Sequence, residues 1–217
     1  MTEAFISAKN KTKALYNAFF NYLESFTDDE KCQIVATTSN ELMAIGGTQN
    51  IFASELILVH ATQHYMADVT DTNYKALVYY ALGQLYELHL EGFVKAYTYY
   101  EKYVLNNTIN DGSHSILLRA IILRDNFTYS EELENHYKNS LCEYDLGYRN
   151  DRIYEALGEF IIARHEGNEE KEEALKKKLK NIIKGDEFFF LDFVLTKEKM
   201  PVRLKVPQKV IDYINAL

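Results

Sequence analysis

An all-α fold is the architecture this chain predicts, and three observations predict it. Two prolines and nine glycines in 217 residues leave few obligatory breaks in regular structure. Apolar residues recur at three and four positions over most of the length, the period of one helical face. Capping residues punctuate the chain at helix-length intervals. With 47% of residues hydrophobic, the chain can bury one sizeable core or a run of stacked smaller units.

The helices can be justified in order. Leu15, Phe19, Tyr22, Leu23 and Phe26 recur at helical steps and predict a first amphipathic helix. Thr27 or Asp28 opens a second, with Ile34, Leu42 and Ile45 as its apolar positions, and Gly46-Gly47 stops it. Thr48 caps a third helix, whose stripe includes Phe52, Leu56 and Val59. Downstream, Asp111-Gly112-Ser113 opens a helix over Ile116, Ala120 and Leu123. Thr128 with Glu131 has the spacing of a capping box for a helix carrying Leu133, Tyr137 and Leu141, with Gly147 as its stop. Asn150 or Asp151 caps the next helix, which ends near Gly167. In NEEKEEALKKKLKNIIKG acids precede lysines, an order that complements the helix dipole and predicts a boundary at Gly185.

Between these lies the stretch Tyr79-x-x-Leu82-Gly83-x-x-Tyr86 followed by Ala96-x-x-x-Tyr100-x-x-Tyr103. It resembles the tetratricopeptide repeat, in which bulky, small and aromatic residues interlock two antiparallel helices. The pattern recurs as Ile116-x-x-Arg119-Ala120-x-x-Leu123 and Tyr154-x-x-Leu157-Gly158-x-x-Ile161, at intervals of 37 and 38 residues, with Arg119 where Leu is expected. The second helices keep step through Tyr100, Tyr137 and Leu175. The resemblance covers about residues 72–185. It implies a right-handed stack of antiparallel helical hairpins, in one domain with N-terminal helices over 1–71 and a C-terminal cap over 186–217. The competing architecture is a non-repetitive helical bundle.

The C-terminal piece carries both prolines. Val202, Leu204 and Val206 alternate as a short strand would, and Phe188 to Leu195 fits either a strand paired with them or a buried helix. The cap is therefore expected to be a short β-hairpin or a helix. Pro207 stands in the first turn of a last helix, Gln208 to Ala216.

Charge and composition exclude several functions. A net charge of −8 repels a phosphate backbone, so no nucleic acid is expected as a partner. The tyrosines could stack bases, but residues 51–112 hold seven acids against three bases, and the rings at 79, 86, 100 and 103 are expected to pack hairpins with their hydroxyls at the rim. No apolar run approaches the roughly 20 residues of a membrane span, and the polar N-terminus predicts a cytoplasmic protein. Cys32 and Cys142 have no metal-ligand spacing and read as reduced, buried thiols. No nucleophile elbow or phosphate loop is present. His60 and His64, at i and i+4, could share a metal ion with Asp68 as a third ligand; this is the alternative reading, a metal-dependent helical-bundle enzyme.

The leading expectation is a protein that is not an enzyme and needs no cofactor or metal, binding a protein or peptide partner. The resemblance implies that first helices line a concave surface. The side chains expected to face it are Tyr80, Gln84 and Glu87, then Leu117, Ile121 and Arg124, then Arg152, Glu155 and Glu159, and all of these but Leu117 and Ile121 are the expected partner-binding residues. The family's carboxylate-clamp members need Lys and Asn where this chain has Tyr80 and Gln84, which disfavours a chaperone tail as ligand. A sharper version is a bacterial immunity or antitoxin protein, its acidity matched to a basic toxin.

Overall fold

The computed structural model describes residues 3–108, 113–141, 149–196 and 206–217, with side chains over 13–108, 113–141, 152–182 and 206–217. The fold is all-α. Its helices are α1 (Glu3–Leu23), α2 (Asp28–Ile45), α3 (Thr48–His64), α4 (Thr72–Leu88), α5 (Phe93–Asn106), α6 (Ser113–Arg124), α7 (Glu131–Ser140), α8 (Arg149–His165), α9 (Glu169–Thr196) and α10 (Gln208–Ala216).

Local chemistry sets most of the boundaries. Thr27 caps α2 in a full capping box: its hydroxyl accepts from the Glu30 amide while the Glu30 carboxylate accepts from the Thr27 amide. Gly46 and Gly47, at φ 74° and 84°, then make a turn that β-carbon-bearing residues rarely adopt, and α3 starts at Thr48. The cap of α7 is Ser130, whose hydroxyl accepts from the Leu133 amide, and not the expected Thr128. Asn126 and Phe127 take positive φ after α6, and residues 128 and 129 then pass without regular structure to the cap. Gly147 lies outside the described residues. α9 does not stop at Gly185 but runs on to Thr196, so residues 188–195 are helical and the strand alternative fails there. A glycine inside a long helix costs about 1 kcal/mol, too little to end it alone. Val202 and Leu204 lie outside the described residues.

Helices pair as neighbours in the chain: α2 with α3, α4 with α5, α6 with α7, α8 with α9. Each pair touches the next, through α2 and α3 on α4, α5 on α6, and α6 and α7 on α8; α10 lies on α9. Two apolar cores result. The first runs from Phe20 and Leu23 of α1 through Ala96 and Tyr100 of α5 to Leu117 and Ala120 of α6; the second gathers Leu118, Ile121, Ile122 and Leu123 of α6 with Phe160 of α8, Leu179 of α9 and Val210 and Ile214 of α10.

Some predicted stripes face the other way. On α1 the chain buries Phe20 and Leu23, while Leu15 and Tyr22 are exposed. On α3 it buries Ile51, Ile57, Leu58 and Ala61, and leaves Phe52 and Leu56 in water. Ile45, at the end of α2, is exposed as well. The cause is that α3 is apolar nearly all round, so periodicity alone cannot choose its inner face.

The small residues sit where helices come close. A β-carbon on Gly83 would lie 2.4 Å from Tyr100 Cε1, so α4 touches its own partner α5 there. One on Gly158 would lie 3.3 Å from Leu118 and 3.4 Å from Tyr137, side chains of the preceding pair. Ala120 is buried.

Candidate functional site

Arg119 stands on an apolar helix, between Leu118 and Ala120, and such a guanidinium needs a partner. Glu87 of α4 supplies it. Arg119 Nε lies 3.0 Å from Glu87 Oε1 with both side chains out of water, although that N–H is not aimed along a hydrogen bond. Tyr100 completes the join: its hydroxyl donates to Glu87 Oε2 at 2.5 Å and accepts from Arg119 Nη2 at 2.9 Å. From α8 the Tyr154 hydroxyl reaches Glu87 Oε1 at 3.5 Å. Burial opposes the charge on Arg119, but Glu87 together with the Tyr100, Tyr80 and Tyr154 hydroxyls outweighs it and holds the guanidinium above its ordinary pKa. Burial likewise pushes Tyr100 well up, with Arg119 opposing, so its hydroxyl stays protonated and can donate.

This seam corrects the expectation for Glu87, which is 2% exposed and faces Arg119 instead of a groove. It also corrects the expectation for the tyrosine hydroxyls, since that of Tyr100 is at the centre of the molecule and not at its rim. Packing is otherwise the rings' role. Tyr79 stacks on Tyr99 and Tyr99 on Tyr86, with Lys102 and Lys95 over their faces, and the Tyr86 hydroxyl donates to Glu55 at 2.6 Å.

The other nominated residues fall into separate groups. Tyr80 is half-buried, its ring 6.0 Å from that of Tyr100 and 5.1 Å from that of Tyr103, so it shares Tyr100 with Glu87. Gln84, also half-buried, lies one turn from each of them on α4. Arg124 is held at 2.7 Å by both Asp125 and Glu132, over the Tyr97 ring. Burial alone would raise the Glu132 carboxyl, but hydrogen bonds from Arg124 and Tyr97 bring it below its usual range. Glu155 and Glu159 lie close enough to Tyr137 that they add to burial in pushing that phenol up to about 12, and Glu159 pairs with Lys171 at 3.2 Å. Arg152 is exposed. Of the side chains expected in the groove, Glu87, Leu117 and Ile121 are buried, at 2%, 7% and 0% exposure.

At the histidine pair, the Tyr16 hydroxyl sits 3.0 Å from His60 Nδ1, the His60 ring packs on Phe20, and the His64 ring centre is 4.3 Å away. Among the described residues no group of three His, Cys, Asp or Glu side chains is placed to hold an ion. Cys32 is buried, which pushes its thiol up to about 11 and away from thiolate chemistry. Cys142 lies outside the described residues. No described helix is long and apolar enough to cross a membrane.

Sequence reasoning missed two features. The Arg119 anomaly was visible, but its partner stands 32 residues away on a helix with no local signal. The exposed pair Phe52 and Leu56 looked like core because it has core spacing. No family model matches the chain, and neither does any curated protein or solved structure.

Proposed function

We propose that this chain is a protein-interaction module, a tetratricopeptide-like stack of helical hairpins that holds a basic protein. The observation that carries this reading is the apolar turn of α3, where Phe52 is 60% and Leu56 47% exposed one turn apart on a molecule of net charge −8. Apolar side chains one turn apart on a helix of an acidic molecule suit a basic partner with an apolar anchor. Pairwise packing in chain order supports the stack, because each hairpin needs its neighbour to bury its face. An immunity protein covering a basic toxin is the sharpest form of the proposal, with charge speeding the encounter.

Affinity capture from the source cells, read by quantitative mass spectrometry, tests it. Wild-type protein is expected to retain one stoichiometric basic protein, and Phe52→Asp with Leu56→Asp to retain at least tenfold less while melting as a folded helical protein. Equal retention by the two forms would remove this face from the proposal. If the captured protein is an enzyme toxic to its own cell, one equivalent of the wild-type chain should inhibit it.

A further inference from the structure

A helix of nine residues is too short to persist alone in water, so α10 exists because of what it lies on. Its seat is aromatic, and three successive hairpins contribute one ring each. The Tyr213 ring stacks on Phe127, from the turn after α6, at 3.9 Å and 5°, and meets Phe160 of α8 edge-on at 6.4 Å. Lys209 lies 4.8 Å over Phe93 of α5 and reaches the Leu123 carbonyl, at the end of α6, at 3.5 Å. Val210 and Ile214, one turn apart, are buried in the second core. The helix is seated as an amphipathic ligand is, by an i, i+4 apolar pair, a ring beside it and a cation in its first turn.

Two observations make this contact the weak joint of its half. Within α10 two side chains are buried, whereas α8 buries eight hydrophobic ones between Ile153 and Ala163. Phe127, moreover, holds φ at 60°, a left-handed conformation that a ring-bearing residue rarely adopts. Asn126 before it, at φ 53°, is a usual helix stop, so the strain belongs to Phe127. Such strain persists only where contacts enforce it, and the stack on Tyr213 is one of them. Release of α10 therefore lets the turn relax.

We infer that α10 is a releasable strap over a helix-binding groove lined by Phe93, Phe127 and Phe160, and that a partner's short helix with the same anchors enters when the strap leaves. The polar contacts define that helix further. Arg164 Nη1 donates to the Tyr213 hydroxyl at 3.3 Å and the Leu123 carbonyl calls for a cation, so the fitting pattern is a Lys, an apolar residue directly after it, and a Tyr and an apolar residue one turn on. While the strap is docked, the apparent affinity for an outside helix falls with the fraction of molecules that are open. Phe52 and Leu56 lie on α3, which packs in the other core, so failure of either surface leaves the other standing.

Hydrogen exchange of the wild-type chain, read by nuclear magnetic resonance, tests the release. Amides of residues 212–216 are expected to be protected roughly a hundredfold less, or weaker still, than those of residues 157–163. Equal protection would overturn the strap. A labelled peptide of residues 206–217 then probes the groove. Val210→Asp with Ile214→Asp in the full chain detaches the strap, and this variant is expected to bind the peptide roughly tenfold tighter than wild type, or better, while a peptide carrying the same two substitutions stays unbound. Circular dichroism melts check the fold; if the variant does not fold, Tyr213→Ala takes its place under the same criteria. A folded variant that ignores the peptide overturns the groove. Wild type that pairs with a second copy in light scattering, and still excludes the peptide from its opened form, overturns the assignment to a partner's helix.

Discussion

The two cores are built differently, and the difference shows where this molecule keeps its polar chemistry. The first, from α1 to α5, is rich in rings: Phe20, Tyr86 and Tyr100 are buried and a tyrosine ladder flanks them. The second sets two buried rings, Tyr154 and Phe160, among eight leucine or isoleucine side chains on α6 and α8, among them Leu118, Ile122, Ile153 and Leu157. Aromatic packing brings hydroxyls inside, and those hydroxyls must be satisfied. Tyr100 satisfies its own by joining Glu87 to Arg119, and the junction between the halves is polar as a result. A polar seam adds little net stability compared with leucines of the same volume, but it penalises any arrangement in which one partner is missing.

The largest effect should come from breaking that seam. Glu87→Ala leaves Arg119 buried and unpaired and is expected to cost about 3–5 kcal/mol, read by chemical denaturation. Next, the close approaches in the two halves should respond unequally to the same change. Gly83→Ala drives a methyl into the buried Tyr100 ring and should destabilise by about 1–3 kcal/mol. Gly158→Ala brings a methyl to 3.3 Å from Leu118, whose side chain must give by a few tenths of an ångström, and its helix-propensity gain of about 1 kcal/mol offsets the contact. Equal losses at the two glycines would mean the halves pack with the same clearance.

The caps come third. Thr27→Ala in the first half and Ser130→Ala in the second should each cost about 1 kcal/mol, while Thr128→Ala should be near zero. Thermal melts distinguish them. The smallest effect is confined to the first half: burial, with His64 nearby, lowers the His60 pKa, so the ring is favoured neutral in the fold. A lowered folded pKa means that this stability is complete above the unfolded value of about 6.5 and is lost as pH falls through the lower folded value. Melts of wild type should drop more between pH 7.5 and 5 than those of His60→Phe.

How much of this could be read from residues alone follows from the range of each interaction. The helix start at Thr27 and the tight place at Gly83 depend on neighbours in sequence or on one hairpin, and they were legible; Thr48 marks the start of α3 but does not cap it, because Gly47 is the N-cap and no side chain bonds there. The inner face of α3 was not, because Ile51, Phe52, Leu56 and Ile57 surround the helix and only the neighbouring helices choose among them. Glu87 looked like an exposed acid on an amphipathic helix. What buries it is packing against a guanidinium two helices further along the chain. The 2.9 Å hydrogen bond between His114 and His136 escaped for the same reason, since nothing local joins positions 22 apart.

A double-mutant cycle on Glu87→Leu and Arg119→Leu, followed by urea denaturation, tests most directly whether the two halves are joined by a mutually dependent buried pair. Each single variant is predicted to lose about 3–5 kcal/mol, and the double variant to lose only the roughly 1–3 kcal/mol of a buried Tyr100 hydroxyl left without partners, far less than the sum of the two. Single losses that simply add in the double variant would contradict the seam.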